Sequence, residues 1–304
     1  MKINPVLSHG LRSRMRGARA MVLMVIYLTI TLAIFLLVYA SSDISNMMKY
    51  GGGYFPYENQ SANNGLFAAL AIIQFILIAM VVPAMNAGSI SGERERQTLD
   101  LLLCSRLSAI RIVIGKLGSN VIFVAFLIVL TTPLFAVVYI CGGLTLFDVA
   151  KLLLFYFACA YVCASIATMF SGLFKKTALA TICTYIVLIL FVVLTLIMGI
   201  MQMNAQYEAA MLQYSMSASV GPFSQVTVPF LLRINPLMVL MESIPSLRNM
   251  MNVTPFYMMA RFDFTMQTQT GSFWYAILFY LAISVVLNVV SAIAIKPVKK
   301  CTLR

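Results

Sequence analysis

The sequence predicts an all-α, polytopic membrane protein of six transmembrane helices, with an N-terminal interfacial helix and extracytoplasmic helices between spans five and six. Two observations set the class. Hydrophobic residues make up 62% of the chain, against about half in ordinary soluble domains. They are gathered into runs of at least ~18 residues, long enough to cross ~30 Å of hydrocarbon. A third observation sets the topology: charged residues are only 10% of the chain, and they collect between the runs and at the ends.

The spans are read at about 21–40, 65–85, 117–140, 152–174, 178–201 and 273–295, all in a single domain covering 1–304. A loop at 87–116 and an outer region at 202–272 are the longer connections. With the N-terminus inside, 16 of the 21 basic residues, including Arg12, Arg14, Arg16, Arg19, Arg94, Arg96, Lys116, Lys175 and Lys176, fall on one side. The bias places both termini in the cytoplasm and the chain in the cytoplasmic (inner) membrane. It also accounts for the net charge of +12 through anionic membrane lipid and without nucleic acid. Val38-Tyr39-Ala40 resembles a signal-peptide cleavage site, but the apolar run is too long and its basic leader too extended for one.

Ahead of the first span, Leu7, Leu11, Met15 and Ala18 recur at helical spacing while Arg12, Arg16 and Arg19 line another face. This reads as an amphipathic helix in the membrane interface, with a disordered basic leader as the alternative. In the outer region, 230–232, 236–241 and 255–259 are apolar runs too short to span. They fit re-entrant or interfacial helices. Gly51-Gly52-Gly53 and Pro56 predict irregular turns in the first outer loop.

The densest charge lies between spans two and three. Five of the eight residues Glu93, Arg94, Glu95, Arg96, Gln97, Thr98, Leu99 and Asp100 carry charge. At roughly 2.5–3.5 kcal/mol per charged residue at mid-bilayer, this island must stand in water. Glu93 and Glu95 are expected in the first turn of a short amphipathic helix, with Arg96 and Asp100 paired one turn apart. Leu99, Leu102 and Leu103 would face the bundle, leaving the charges as a docking surface for a soluble partner. A second helix is expected to start at Ser108 and run through Lys116 into the third span.

Several chemistries are excluded. No Asp, Glu, Lys or Arg lies inside the six spans, which argues against a proton-coupled carrier. The single histidine, His9, cannot build a Ser/His or His/His site. A phosphate-binding Gly-x-x-x-x-Gly-Lys-Ser/Thr loop is absent. Cys159 and Cys163 stand one helical turn apart, a spacing that reads as helix packing. Of 21 methionines, 11 lie between Met201 and Met266; thioether clusters suit Cu(I), but an adaptable apolar lining is the plainer reading.

In order, Asn4-Pro5, the Arg-rich leader, the stretch from Ser91 to Leu102, Ser108, Gly115-Lys116, Pro133-Leu134-Phe135 and Gly142-Gly143 resemble the type-2 family of ATP-binding-cassette (ABC) transporter permeases. The likeness covers about 4–174; beyond it only hydropathy and Asn235-Pro236 match. The resemblance implies a six-helix permease whose loop after the second span, from Glu93 to Leu103, forms the coupling helix. It also implies a second permease subunit, as homo- or heterodimer, and cytosolic ABC ATPase subunits that hold ATP and Mg. The chain itself would bind no cofactor and catalyse nothing. The expected function is export by alternating access; the alternative is a non-transporting immunity or sensor subunit that binds a soluble partner.

Overall fold

The computed structural model describes residues 10–12, 17–41, 56–99, 108–140, 145–217, 229–243 and 272–295. They form eight helices: α1 (Ala18–Ser41), α2 (Pro56–Glu95), α3 (Ala109–Ile140), α4 (Leu146–Leu173), α5 (Thr177–Ser217), the short α6 (Phe230–Ile234) and α7 (Pro236–Ser243), and α8 (Ser272–Ala294). Six of them, α1 to α5 and α8, are long and apolar enough to cross a membrane.

Side-chain bonds between helices fix their relative direction. Gln74 reaches Thr131 and Asn120 reaches Asn86, so α2 and α3 run antiparallel. The Tyr156 hydroxyl donates to the Ala71 carbonyl and Ser171 meets Ser91, so α2 and α4 run parallel. Likewise Asn288 bonds Tyr161 and Ser291 bonds the Thr168 carbonyl, which makes α8 parallel to α4. The end of α2, the start of α3, the α4–α5 turn and the end of α8 thus share one end of the bundle, called here the charged end.

At the centre stands α4, packed against α2, α3, α5 and α8. Its composition explains the position. From Ala158 to Gly172 every buried residue is Ala, Cys, Ser, Thr or Gly. Lipid gives no hydrophobic drive for helices to associate, so small residues that admit close backbone approach become the adhesive. Cys159 and Cys163 belong to this surface, buried and free. Toward the far end the packing changes to large rings, with Phe155 on α4 stacked on Phe75 and tilted against Tyr156, and Phe67 edge-on to Phe135.

Several helices are longer than expected. Pro56 is the first residue of α2, where its missing N–H costs nothing, and does not mark an irregular turn. Helix α4 starts at Leu146, because Thr145 and Asp148 form a reciprocal capping box. The fifth spanning helix continues to Ser217. At the N-terminus, residues 10–12 are helical. Gly10 sits so close to α3 that a Cβ would lie 2.9 Å from Ser119 Oγ. Arg16 lies outside the described residues. Arg19, expected on the interfacial helix, belongs to the first turn of α1, because the chain bends at Gly17.

Helices α6 and α7 meet at the fully buried Asn235. Its Nδ2 donates to the Val192 carbonyl and to Thr195 Oγ1, both at 2.8 Å, and its Oδ1 accepts the Leu237 amide at 2.9 Å. Tyr280 of α8 donates to the Ile234 carbonyl at 2.6 Å. Val192 is about 22 Å along α5 from Thr177 at ~1.5 Å per residue, so the tip of this pair reaches hydrocarbon depth. Gly199 makes room for it, since a Cβ there would overlap the Leu232 side chain. Replacing Asn235 with Leu removes two links to α5, each worth about 0.6–1.7 kcal/mol in a bilayer. The thermal midpoint in detergent is expected to fall accordingly; an unchanged midpoint contradicts the assignment.

Candidate functional site

The charged island is the last turn of α2 and the turn that follows. Glu93 and Glu95 were expected to open a new helix; they close an old one. Gly92 does not break α2, because tertiary attachment of Ile90 and Ser91 to Ser171 outweighs the ~1 kcal/mol that a glycine costs inside a helix. What stops it is a Schellman motif. The Gln97 amide donates to the Arg94 carbonyl at 3.1 Å and the Thr98 amide to the Glu93 carbonyl at 2.9 Å. Gln97 holds φ at +58°, a left-handed conformation that usually falls to Gly or Asn.

Three charged side chains of this turn, those of Glu93, Arg94 and Glu95, each reach a different helix. Glu93 Oε1 pairs with Lys116 Nζ of α3 at 2.5 Å, and its other oxygen accepts the Thr98 hydroxyl. Arg94 Nη1 makes a long bond, 3.4 Å, to the Phe174 carbonyl at the C-cap of α4. Glu95 Oε1 accepts the Thr177 amide at 2.7 Å and the Thr177 hydroxyl at 3.1 Å, which caps the start of α5. One turn deeper along α2 and α4, Ser171 Oγ accepts the amides of Ile90 and Ser91, both at 2.9 Å. Leu99 is buried with Ile90, Val113, Ala292 and Ile295, which adds α3 and α8 to the junction.

The electrostatic signs are complementary. A helix C-terminus attracts cations and an N-terminus attracts anions, by ~0.3–1 kcal/mol each. Arg94 therefore suits the carbonyl end of α4, and Glu95 suits the amide end of α5. Lys175 and Lys176, exposed in the turn between them, place two cations at the α5 N-terminus, and Glu95 offsets them. Within its own helix a glutamate in the last turn is disfavoured by a similar amount. The partners on α3 and α5 compensate.

The expectation that the island's charges all face outward is thereby corrected. Glu93 and Arg94 are half-buried and Leu99 is buried, whereas Glu95, Arg96 and Gln97 are exposed. Asp100 and Leu103, and with them the Arg96–Asp100 pair, lie outside the described residues. Sequence reasoning missed Thr177 and Ser171 as partners; they are about 80 residues away, and no local period signals them. The helix expected from Ser108 is present, with the Ile112 amide bonded to the Ser108 carbonyl. Among the described residues no three His, Cys, Asp or Glu side chains are grouped so as to hold a metal. The junction is thus a mechanical joint, tying the ends of α3, α4, α5 and α8 to one turn.

A left-handed non-glycine residue costs roughly 1–2 kcal/mol. Gln97→Gly is therefore expected to raise the thermal midpoint and Gln97→Val to lower it. Equal midpoints for the two variants would contradict the motif.

A family model described as "ABC-2 family transporter protein" matches residues 5–295, nearly the whole chain. No curated protein matches it.

Proposed function

The chain belongs to the ABC-2 family of transporter membrane proteins, and from that premise we propose that it is the membrane-spanning subunit of an ABC exporter. It pairs with a second permease subunit in the cytoplasmic membrane, both termini inside. ATP is bound and hydrolysed, with Mg, by separate cytosolic subunits. These dock on the charged end through the turn built from Glu93, Arg94, Glu95, Arg96, Gln97, Thr98, Leu99 and the following Asp100 and Leu103.

One observation carries this reading: the last turn of α2 holds four other helix ends while presenting Arg96 and Gln97 to solvent. A displacement of this turn is delivered at once to α3 through Lys116 and to the α4–α5 corner through Phe174 and Thr177. Leu99 carries it to α8. No Asp, Glu, Lys or Arg lies in the spans and no phosphate-binding loop in the sequence, which supports a motor outside the bundle. In alternating access the ATPase shifts the bundle between inward and outward states, and it does so only by binding one state more tightly. Arg12 on the interfacial segment, packed through Gly10 against Ser119, would meet lipid headgroups beside this joint.

Arg96 is the probe of choice, because its side chain is exposed whereas Arg94 also bonds Phe174. Arg96→Glu is expected to reduce the ABC ATPase that co-purifies with the chain several-fold, while the thermal midpoint falls only slightly, since the exposed Arg96 contributes only a weak attraction to Glu93 and to the end of α2. An undiminished yield of ATPase would refute the docking role.

A further inference from the structure

We propose that the layer between α1, α2 and α3 holds one buried water molecule, bound by Tyr27 Oη, Gln74 Oε1 and Thr131 Oγ1. Two of these atoms are buried without a hydrogen-bond partner: the Tyr27 hydroxyl and Gln74 Oε1. Their residues are 3% and 0% exposed, so bulk water does not reach them. Buried polar groups without partners are rare in folded proteins, and an internal water is the usual explanation.

The neighbours of the three groups place them in adjoining turns of the bundle. Tyr27 is buried in one cluster with Leu77 of α2 and Phe123 and Leu127 of α3, and Ile73 lies against the same cluster. Gln74 stands between Ile73 and Leu77 along α2. Thr131 is one turn beyond Leu127 along α3. Gln74 Nε2 donates to Thr131 Oγ1 at 3.0 Å, which brings the polar pair together on the turn next to the ring.

The donor and acceptor inventory then closes. Thr131 donates its hydroxyl proton to the Ile128 carbonyl at 2.8 Å and accepts from Gln74, leaving one lone pair. Gln74 Oε1 offers lone pairs and Tyr27 offers a proton. A water accepting from Tyr27 and donating to Gln74 Oε1 and Thr131 Oγ1 makes three hydrogen bonds, the usual number for an internal water. The site joins three helices at a seam to which α1 also brings apolar packing, from Ala20, Leu23 and Met24 near one end and from Phe35, Val38 and Tyr39 near the other. Among the described side chains of α1 only Tyr27 and Thr31 are buried, and the Thr31 hydroxyl turns back to its own helix at the Tyr27 carbonyl.

Radiolytic hydroxyl-radical footprinting of the full chain in lipid nanodiscs, read residue by residue by mass spectrometry, tests the site. Radicals form at bound waters, so Tyr27 is expected to be modified several-fold more than Tyr280. Tyr280 is equally buried but bonded directly to the Ile234 carbonyl at 2.6 Å. Gln74→Leu is expected to bring Tyr27 down to the level of Tyr280. Equal modification of the two tyrosines in the unaltered protein would overturn the proposal, and a direct Tyr27–Gln74 hydrogen bond would give that result. This comparison needs no variant, so it stands even if Gln74→Leu fails to fold.

Discussion

The Glu95 carboxylate on the first amide of α5 is the contact from which the charged end is organised. A bilayer forbids unpaired charge at depth and gives apolar helices little reason to associate. Specific attachment therefore concentrates where the helices leave the hydrocarbon. At that level one turn of α2 places an anion, a cation and an anion in succession. Each meets a group of opposite sign on a neighbour: the Lys116 ammonium, the Phe174 carbonyl and the Thr177 amide. Two of the three partners are backbone atoms at helix ends, so the bonds fix the helices themselves and not merely their side chains.

Below this level a different glue takes over. Ser171 receives two backbone amides of α2, Asn86 and Asn120 join α2 to α3, and Asn235 ties the α6–α7 pair to α5. Between these bonds the small residues of α4 set the spacing. The result is a bundle held at both ends and through its centre. By contrast α1 and α5 leave most of their surface open. Coherent movement is thus expected of α2, α3, α4, α8 and the first turn of α5 as a body, with α1 the most weakly attached of the spans.

Hydropathy made the six spans legible in the sequence, because apolar length is dictated by the bilayer. Helix ends were less legible, and for identifiable reasons. The capping box of Thr145 and Asp148 was readable in the sequence but lay beyond the apolar run used to find α4. The stop at Gln97 carried no signal at all, since glutamine is an ordinary helix former and its left-handed backbone is imposed by the turn. For the site, composition marked the right turn, but the partners of Glu93, Arg94 and Glu95 are tertiary facts. An i, i+4 rule finds neighbours along one helix and is blind to a threonine on another.

If the α2 turn and the α4–α5 corner move as one piece, fastening them together should cost nothing. The direct measurement replaces the six native cysteines and introduces Ser91→Cys and Ser171→Cys, where the native hydroxyls meet at 3.2 Å in the buried layer beneath the α2 turn. A disulfide then joins the pair as the linker in the reconstituted complex with its ATPase. ATP hydrolysis stimulated by the permease is then compared before and after cross-linking. The stimulation is expected to persist. A collapse on cross-linking, reversed when the linker is cleaved, would show that the two parts must separate and would contradict their movement as one piece.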